Sequence, residues 1–220
     1  VILHMRKGVQ FVDKAPVNGR ELTAYDLDFS MNRSATTPKS GLYLSEKVLN
    51  EWVAKEREKN PKKIEAWLTK LKKLGEPLGK GYLKPLDKYT ARYELYEPNR
   101  LVMDVFSQFY VYAEECVKAH GDLKDWRNTC GTGAWIVEDV IPGSAATWRR
   151  NPNYWKSDPF HPKNKLPYAD KLRGLIISDP ATGLAALRTY KIDVAGVAWD
   201  KADAVKKTNP ELLFRKFSPA

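Results

Sequence analysis

Cys130-Gly131-Thr132-Gly133-Ala134-Trp135 opens a run that continues through Pro142-Gly143-Ser144, Arg150-Asn151-Pro152-Asn153-Tyr154-Trp155 and Pro167-Tyr168-Ala169-Asp170-Lys171-Leu172. It closes with Asp179-Pro180-Ala181-Thr182, Ala185-Ala186-Leu187-Arg188 and Lys191-Ile192-Asp193-Val194. Within this run Leu172 to Ile177 reads as a strand, and Pro180 to Thr189 reads as a helix with Leu184 and Leu187 on one side. Ile192 to Val197 reads as a second strand. That order predicts a β-α-β crossover, which pairs its strands in parallel with right-handed connectivity. Gly131-Thr132-Gly133 does not suit a phosphate loop. A dinucleotide fingerprint needs a third Gly and a helix next, a P-loop needs Gly-Lys-Ser or Gly-Lys-Thr, and here the strand-like Trp135-Ile136-Val137 follows. A tight entry into a strand, where side chains would crowd the backbone, accounts for these glycines.

Towards the N-terminus, Val1 to Arg6 reads as a strand that turns at Lys7-Gly8 into a second short strand, Val9-Gln10-Phe11. Thr23-Ala24-Tyr25-Asp26 has the spacing of a capping box and predicts a helix start. Residues 45–79 read as a helical hairpin. Val48, Leu49, Trp52 and Val53 share one face of its first helix, Asn60-Pro61 supplies a cap with Pro at the first helical position, and Ile64, Trp67, Leu68, Leu71 and Leu74 recur at helical spacing before Gly75. Asp87 to Leu95 alternates as a strand, Val111 to His120 reads as a helix ended by Gly121, Lys201 to Lys207 as a helix, and Leu212-Leu213-Phe214 as the start of a strand.

The run from Cys130 to Val194, with Arg6-Lys7-Gly8-Val9, Phe11-Val12-Asp13, Leu22-Thr23-Ala24 and Phe29-Ser30, resembles the extracellular solute-binding proteins of the peptide and nickel type (bacterial solute-binding family 5), which deliver ligand to ABC importers. Lys14 stands where the family commonly has Gly. The resemblance implies an α/β chain: part of a type II periplasmic-binding-protein-like fold, with mixed sheets, flanking helices and the hairpin at about 45–79 as an insertion. It implies residues 1–109 as part of an accessory subdomain and 110–220 as part of the first lobe, the chain being a piece of a longer receptor. It also implies a non-enzymatic, cofactor-free protein, monomeric at full length and tethered outside the cytoplasmic membrane as a lipoprotein or periplasmic. Its partners would be a peptide or similar small solute and the membrane subunits of an ABC transporter. An oligosaccharide or a metal chelate is the alternative ligand.

Composition narrows other classes. The net charge of +10 invites a nucleic-acid reading, since basic stripes recruit phosphates by counterion release. Yet residues 45–84 hold eleven Lys and Arg against six Asp and Glu, so about half the excess lies in this one largely helical stretch and reads as a solvated face. No RNP, zinc-finger or helix-turn-helix pattern accompanies it. Nor is there a nucleophile elbow, an HExxH pair or a recognisable Ser, His and acid set. Cys116 and Cys130 are either bridged or two free thiols, and Cys116 with His120 at i, i+4 would offer a metal two ligands on one helix face. His4 and His161 stand in no ligand motif.

Candidate ligand contacts lie where the β-α-β reading places a cleft, in loops at the carboxyl ends of parallel strands. Trp199 would follow the Ile192 to Val197 strand and offer broad apolar contact, and Asp200 beside it could pair with a ligand cation. The competing reading packs Trp199 on its own lobe and uses Asp200 as a helix cap. Tyr43, in the Gly41-Leu42-Tyr43 loop, is a further candidate.

Overall fold

The computed structural model describes residues 1–38, 44–76, 79–100, 104, 106 and 109–216. Six α-helices, a short 3-10 helix at Trp126–Asn128 and two three-stranded sheets account for the regular structure of these residues. Contacts divide the chain into two compact units, Val1–Glu138 with Trp148–Leu172, and Asp139–Thr147 with Arg173–Ala220.

In the first unit, β1 (Ile2–His4), β2 (Gly81–Asp87) and β3 (Thr90–Leu95) form an antiparallel sheet in the order β1-β3-β2. Successive strand residues face opposite sides. Leu83, Ala91 and Tyr93 therefore meet α1 (Ala24–Thr36) through Ala24, Leu27 and Met31. The neighbouring Tyr82 instead packs with Val53, Ile64, Trp67 and Leu71 of α2 (Glu46–Lys59) and α3 (Pro61–Leu74), so the sheet is covered on both faces.

The expected hairpin is thus two helices whose apolar stripe is core. Ser45 caps α2 by accepting the Val48 amide, Pro61 opens α3, and Gly75 ends it at φ 71°. Val48 is the exception, 44% exposed. Trp67 buries its ring and donates its indole N–H to the Gly79 carbonyl at 3.0 Å, which satisfies its polar handle. At the start of α1 the carboxylate half of the capping box is present: Asp26 accepts the Thr23 amide at 2.9 Å.

The strand expected over Asp87 to Leu95 is instead the second arm of a hairpin. Asp87 accepts the Tyr89 amide at 2.7 Å, which makes a turn of Lys88-Tyr89, and the preceding residues form β2. Pro85 lies within β2, and β2 is an edge, where a missing amide donor is tolerated. The helix expected from Val111 begins at Glu114 as α4 (Glu114–His120). Ser30 Oγ accepts the Tyr112 amide at 2.7 Å, which holds that residue out of the helix.

The second sheet takes the order β4-β5-β6, from β4 (Trp135–Ile141), β5 (Ala145–Arg150) and β6 (Lys171–Leu175). Gly143, at φ 71°, closes the turn between β4 and β5, and the Ser144 amide bonds back to the Ile141 carbonyl at 3.0 Å. The motifs that carry the resemblance hold this sheet's base. Asn151, 3% exposed, donates its side-chain amide to the Gly133 carbonyl and its backbone amide to the Ala134 carbonyl, both at 2.9 Å. Its Oδ1 accepts the Asn153 amide at 3.0 Å. Arg150 binds Asp170 through its backbone amide at 2.8 Å and its guanidinium at 2.9 Å. Crowding does not explain Gly131 and Gly133, because a Cβ at either would meet nothing nearer than 3.9 Å.

Three expected strands are absent: Val9 to Phe11 supplies only an isolated bridge between Gln10 and Glu21. Ile192 to Val197 pairs with no described strand, so the parallel β-α-β unit does not form, and Leu212 to Phe214 is likewise unpaired. Ladder hydrogen bonds make a strand, and β6 forms its ladder with β5 instead. α5 (Pro180–Arg188) stands before Ile192, and α6 (Trp199–Thr208) lies between Val197 and Leu212.

Candidate functional site

Asp179 caps α5 by accepting the Thr182 hydroxyl at 2.6 Å and the Thr182 and Ala181 amides at 2.8 and 3.3 Å. These bonds hold its carboxyl below the usual range, the Thr182 hydroxyl most strongly. Leu187 and Val205 are buried, and the C-terminal ends of α5 and α6 are tied together. Arg188 donates to Thr208 at 3.4 Å, and Tyr190 and Asn209 both donate to Glu211, at 2.8 and 3.1 Å.

Trp199 and Asp200 stand at the other end of α6, about 15 Å away for a ten-residue helix. Trp199 is the first helical residue and 89% exposed, so it does not pack on its own lobe among the described residues. Asp200 lies in the first turn, where a carboxylate complements the helix dipole, while Ala198 occupies the cap position. Val194, 86% exposed, precedes them. The start of α6 therefore presents an aromatic face beside a carboxylate, reached through an extended segment rather than a parallel strand. Tyr43 lies outside the described residues.

A second feature had no signal in the sequence. In the first unit, Phe29, Asn32, Arg33, Thr36, Glu76 and Val117 line an open groove of about 550 Å³. The Glu76 side chain is 3% exposed, one carboxylate oxygen faces Lys84 at 3.4 Å, and the other has no partner among the described residues. Nearby Asp28 is pushed up to about 6 by burial and by the Glu76 charge, against the opposing pull of Lys84. Glu76 follows the Gly75 helix stop, so its inward turn depends on the C-cap and not on any residue pattern.

Structural bonds absorb the other ionisable clusters. Arg20 bridges Asp26, at 2.6 and 2.9 Å, and Glu115, at 2.7 Å, tying the N-terminal segment to α1 and α4. Its guanidinium depresses the Glu115 carboxyl. Glu21 accepts from Lys88, Gly8 and Tyr89, and these bonds, Lys88 foremost, bring its carboxyl down to about 2. Cys116 and Cys130 form a disulfide, so Cys116 and His120 are no metal pair. Among the described residues no group of three or more His, Cys, Asp or Glu is placed to hold a metal ion.

A family model described as "Bacterial extracellular solute-binding proteins, family 5 Middle" matches residues 1–218, and the chain belongs to this family. Among solved structures it is similar to MoaA of A. tumefaciens R10 in complex with mannopinic acid, at 19% identity and TM-score 0.67, over 99% of this chain and 36% of that one. OppA of Burkholderia pseudomallei matches at 19% identity and TM-score 0.63, over 94% and 36% of the two chains. AppA of Bacillus subtilis, in complex with a nonapeptide, matches at 16% identity and TM-score 0.61, over 94% and 34%. The chain thus spans about a third of the length of the solved relatives it matches. No protein of curated function matches it.

Proposed function

We propose that the chain serves in the substrate-binding component of an ABC importer, capturing a peptide or similar small solute outside the cytoplasmic membrane. The family match over residues 1–218 carries this reading. Three observations support it. Relatives of this fold are solute-binding proteins, some solved with peptides. The disulfide suits an oxidising compartment. No helix among the described residues is long and apolar enough to cross a membrane, as fits a receptor that meets its transporter from outside.

In this reading residues 1–109 belong to an accessory subdomain and 110–220 to the first lobe of a receptor of the relatives' full length. The receptor is monomeric and membrane-tethered, it docks on the transporter's membrane subunits, and Trp199, Asp200 and Tyr43 contact ligand. The aromatic face and carboxylate at the start of α6 suit a ligand with an apolar body and a cationic group. The mannopinic acid complex favours a second reading, in which the solute is a sugar derivative, because that relative is as similar as the peptide binders.

Native mass spectrometry of a receptor of the relatives' full length tests both readings. A retained peptide, returned chemically unchanged, is the expected result, and a retained sugar derivative selects the second reading. Turnover of the ligand, or tight salt-sensitive binding of nucleic acid with no small solute, overturns both.

A further inference from the structure

Residues 156–168 form a loop that holds itself together by hydrogen bonds. Ser157 bridges Lys165, the Asp158 amide reaches the Asn164 carbonyl at 2.9 Å, the Asn164 amide reaches the His161 carbonyl at 2.8 Å, and the Leu166 amide reaches the Lys156 carbonyl at 3.1 Å. Asp158 is the hub. Its Oδ1 accepts the Phe160 and His161 amides at 2.7 and 3.1 Å, and its Oδ2 accepts the Tyr168 hydroxyl at 2.6 Å. The tip that this network displays is Phe160-His161-Pro162-Lys163, with Phe160 87% exposed.

Isolated exposed apolar residues are ordinary, so exposure alone decides nothing. Here the aromatic ring is held clear of the protein between Pro159 and Pro162, on a loop ordered by its own bonds. The charge around it is one-sided. Lys156, Lys163 and Lys165 are all exposed, and the loop's one acid, Asp158, is spent on two backbone amides and a tyrosine. An exposed aromatic residue on a loop whose uncommitted charges are exposed lysines complements a surface with negative charge at its face and apolar depth beneath it, which is an anionic bilayer. Because the loop is ordered before contact, little conformational entropy is lost on seating it.

We infer that the Phe160 tip is a membrane-contact element, which inserts the ring among anionic phospholipid headgroups while Lys156, Lys163 and Lys165 pair with their phosphates. This goes beyond ligand capture and does not depend on which solute the receptor takes.

Co-sedimentation of a receptor of the relatives' full length with vesicles tests it. Vesicles of phosphatidylcholine and phosphatidylglycerol in equal parts should bind the receptor, and phosphatidylcholine alone should bind it far less. Phe160→Ala should lower partition into the mixed vesicles about tenfold, as expected for losing one buried aromatic ring. Phe160→Trp should retain it. Lys163→Gln and Lys165→Gln should each lower it about fivefold, and Lys72→Gln with Lys73→Gln on the exposed face of α3 should change it less. Phe160→Cys adds a free thiol, Cys116 and Cys130 being bridged, and an environment-sensitive dye there should shift to the blue on mixed vesicles. Equal binding by Phe160→Ala and the parent would assign the attraction to net charge and overturn the inference. So would no binding to either vesicle, or an unshifted dye on bound protein.

Discussion

Asp28 and Trp199 carry the two predictions that belong to single residues. Asp28 has a folded pKa of about 6, above its unfolded value of about 3.9, so the native state binds the extra proton between those limits. Stability from this group is therefore greatest below pH 4 and falls as pH rises towards 6. Asp28→Asn should leave stability unchanged near pH 4 and raise it at pH 7 by on the order of 1 kcal/mol, after discounting a half-exposed group for solvent screening. Urea melts of parent and variant across that range measure the difference, and parallel curves would reject the raised proton affinity of Asp28. Trp199, at 89% exposure, leaves no cavity when truncated. Trp199→Ala should change stability by less than about 0.5 kcal/mol. In a receptor of full family length it should weaken solute binding by about 1 to 3 kcal/mol. Calorimetric titration beside a denaturant melt reads both, and unchanged affinity removes Trp199 from the site.

At the scale of elements, the disulfide joins α4 to the loop that enters β4. Cys116 is fully buried and packs with Phe11, Val12, Val17 and Ala113. The bridge closes a loop 14 residues apart in sequence, for which chain entropy gives a contribution of about 3 kcal/mol. Cys116→Ala with Cys130→Ala should lose about that much, read as a lower urea midpoint with little change in slope. A fall below about 1 kcal/mol would mean that the apolar cluster holds this junction by itself. Much of this level was legible in the residues. The pair at Asn60-Pro61, the stop at Gly75 and the stripe from Ile64 to Leu74 specify the hairpin locally, since caps and periodicity act within a few turns. The β2–β3 hairpin was not legible. Pro85 fits a strand only where the sheet order places it at an edge, and sheet order is a long-range property.

For the whole molecule, the two units differ in how much they bury. Apolar clusters fill the first, built on Phe11, Leu83 and Ile64, whereas the buried apolar residues of Asp139–Thr147 and Arg173–Ala220 are Ala145, Leu187 and Val205 among the described residues. Opening energy follows local burial, so amides of α5 and α6 should exchange with solvent at least about tenfold faster than those of α1 and β3. Hydrogen-exchange mass spectrometry of the chain measures this, and equal protection would show that the second unit draws stability from groups other than its own core.

Helix placement, the α/β class and the family followed from the sequence alone, because Thr23-Ala24-Tyr25-Asp26, Asn60-Pro61, Gly75 and the Gly131-to-Asp170 motifs act through local conformation and short bonds. Asn151 closes on Gly133 and Arg150 on Asp170, so these motifs meet in the fold. Tertiary structure alone decided which strands pair, that Ile192 to Val197 has no ladder, that Trp199 faces solvent, and that Glu76 turns inward beside Asp28. Those outcomes depend on partners distant in the chain. Strand pairing, exposure and a carboxyl's proton affinity are each set by neighbours that no local residue pattern names.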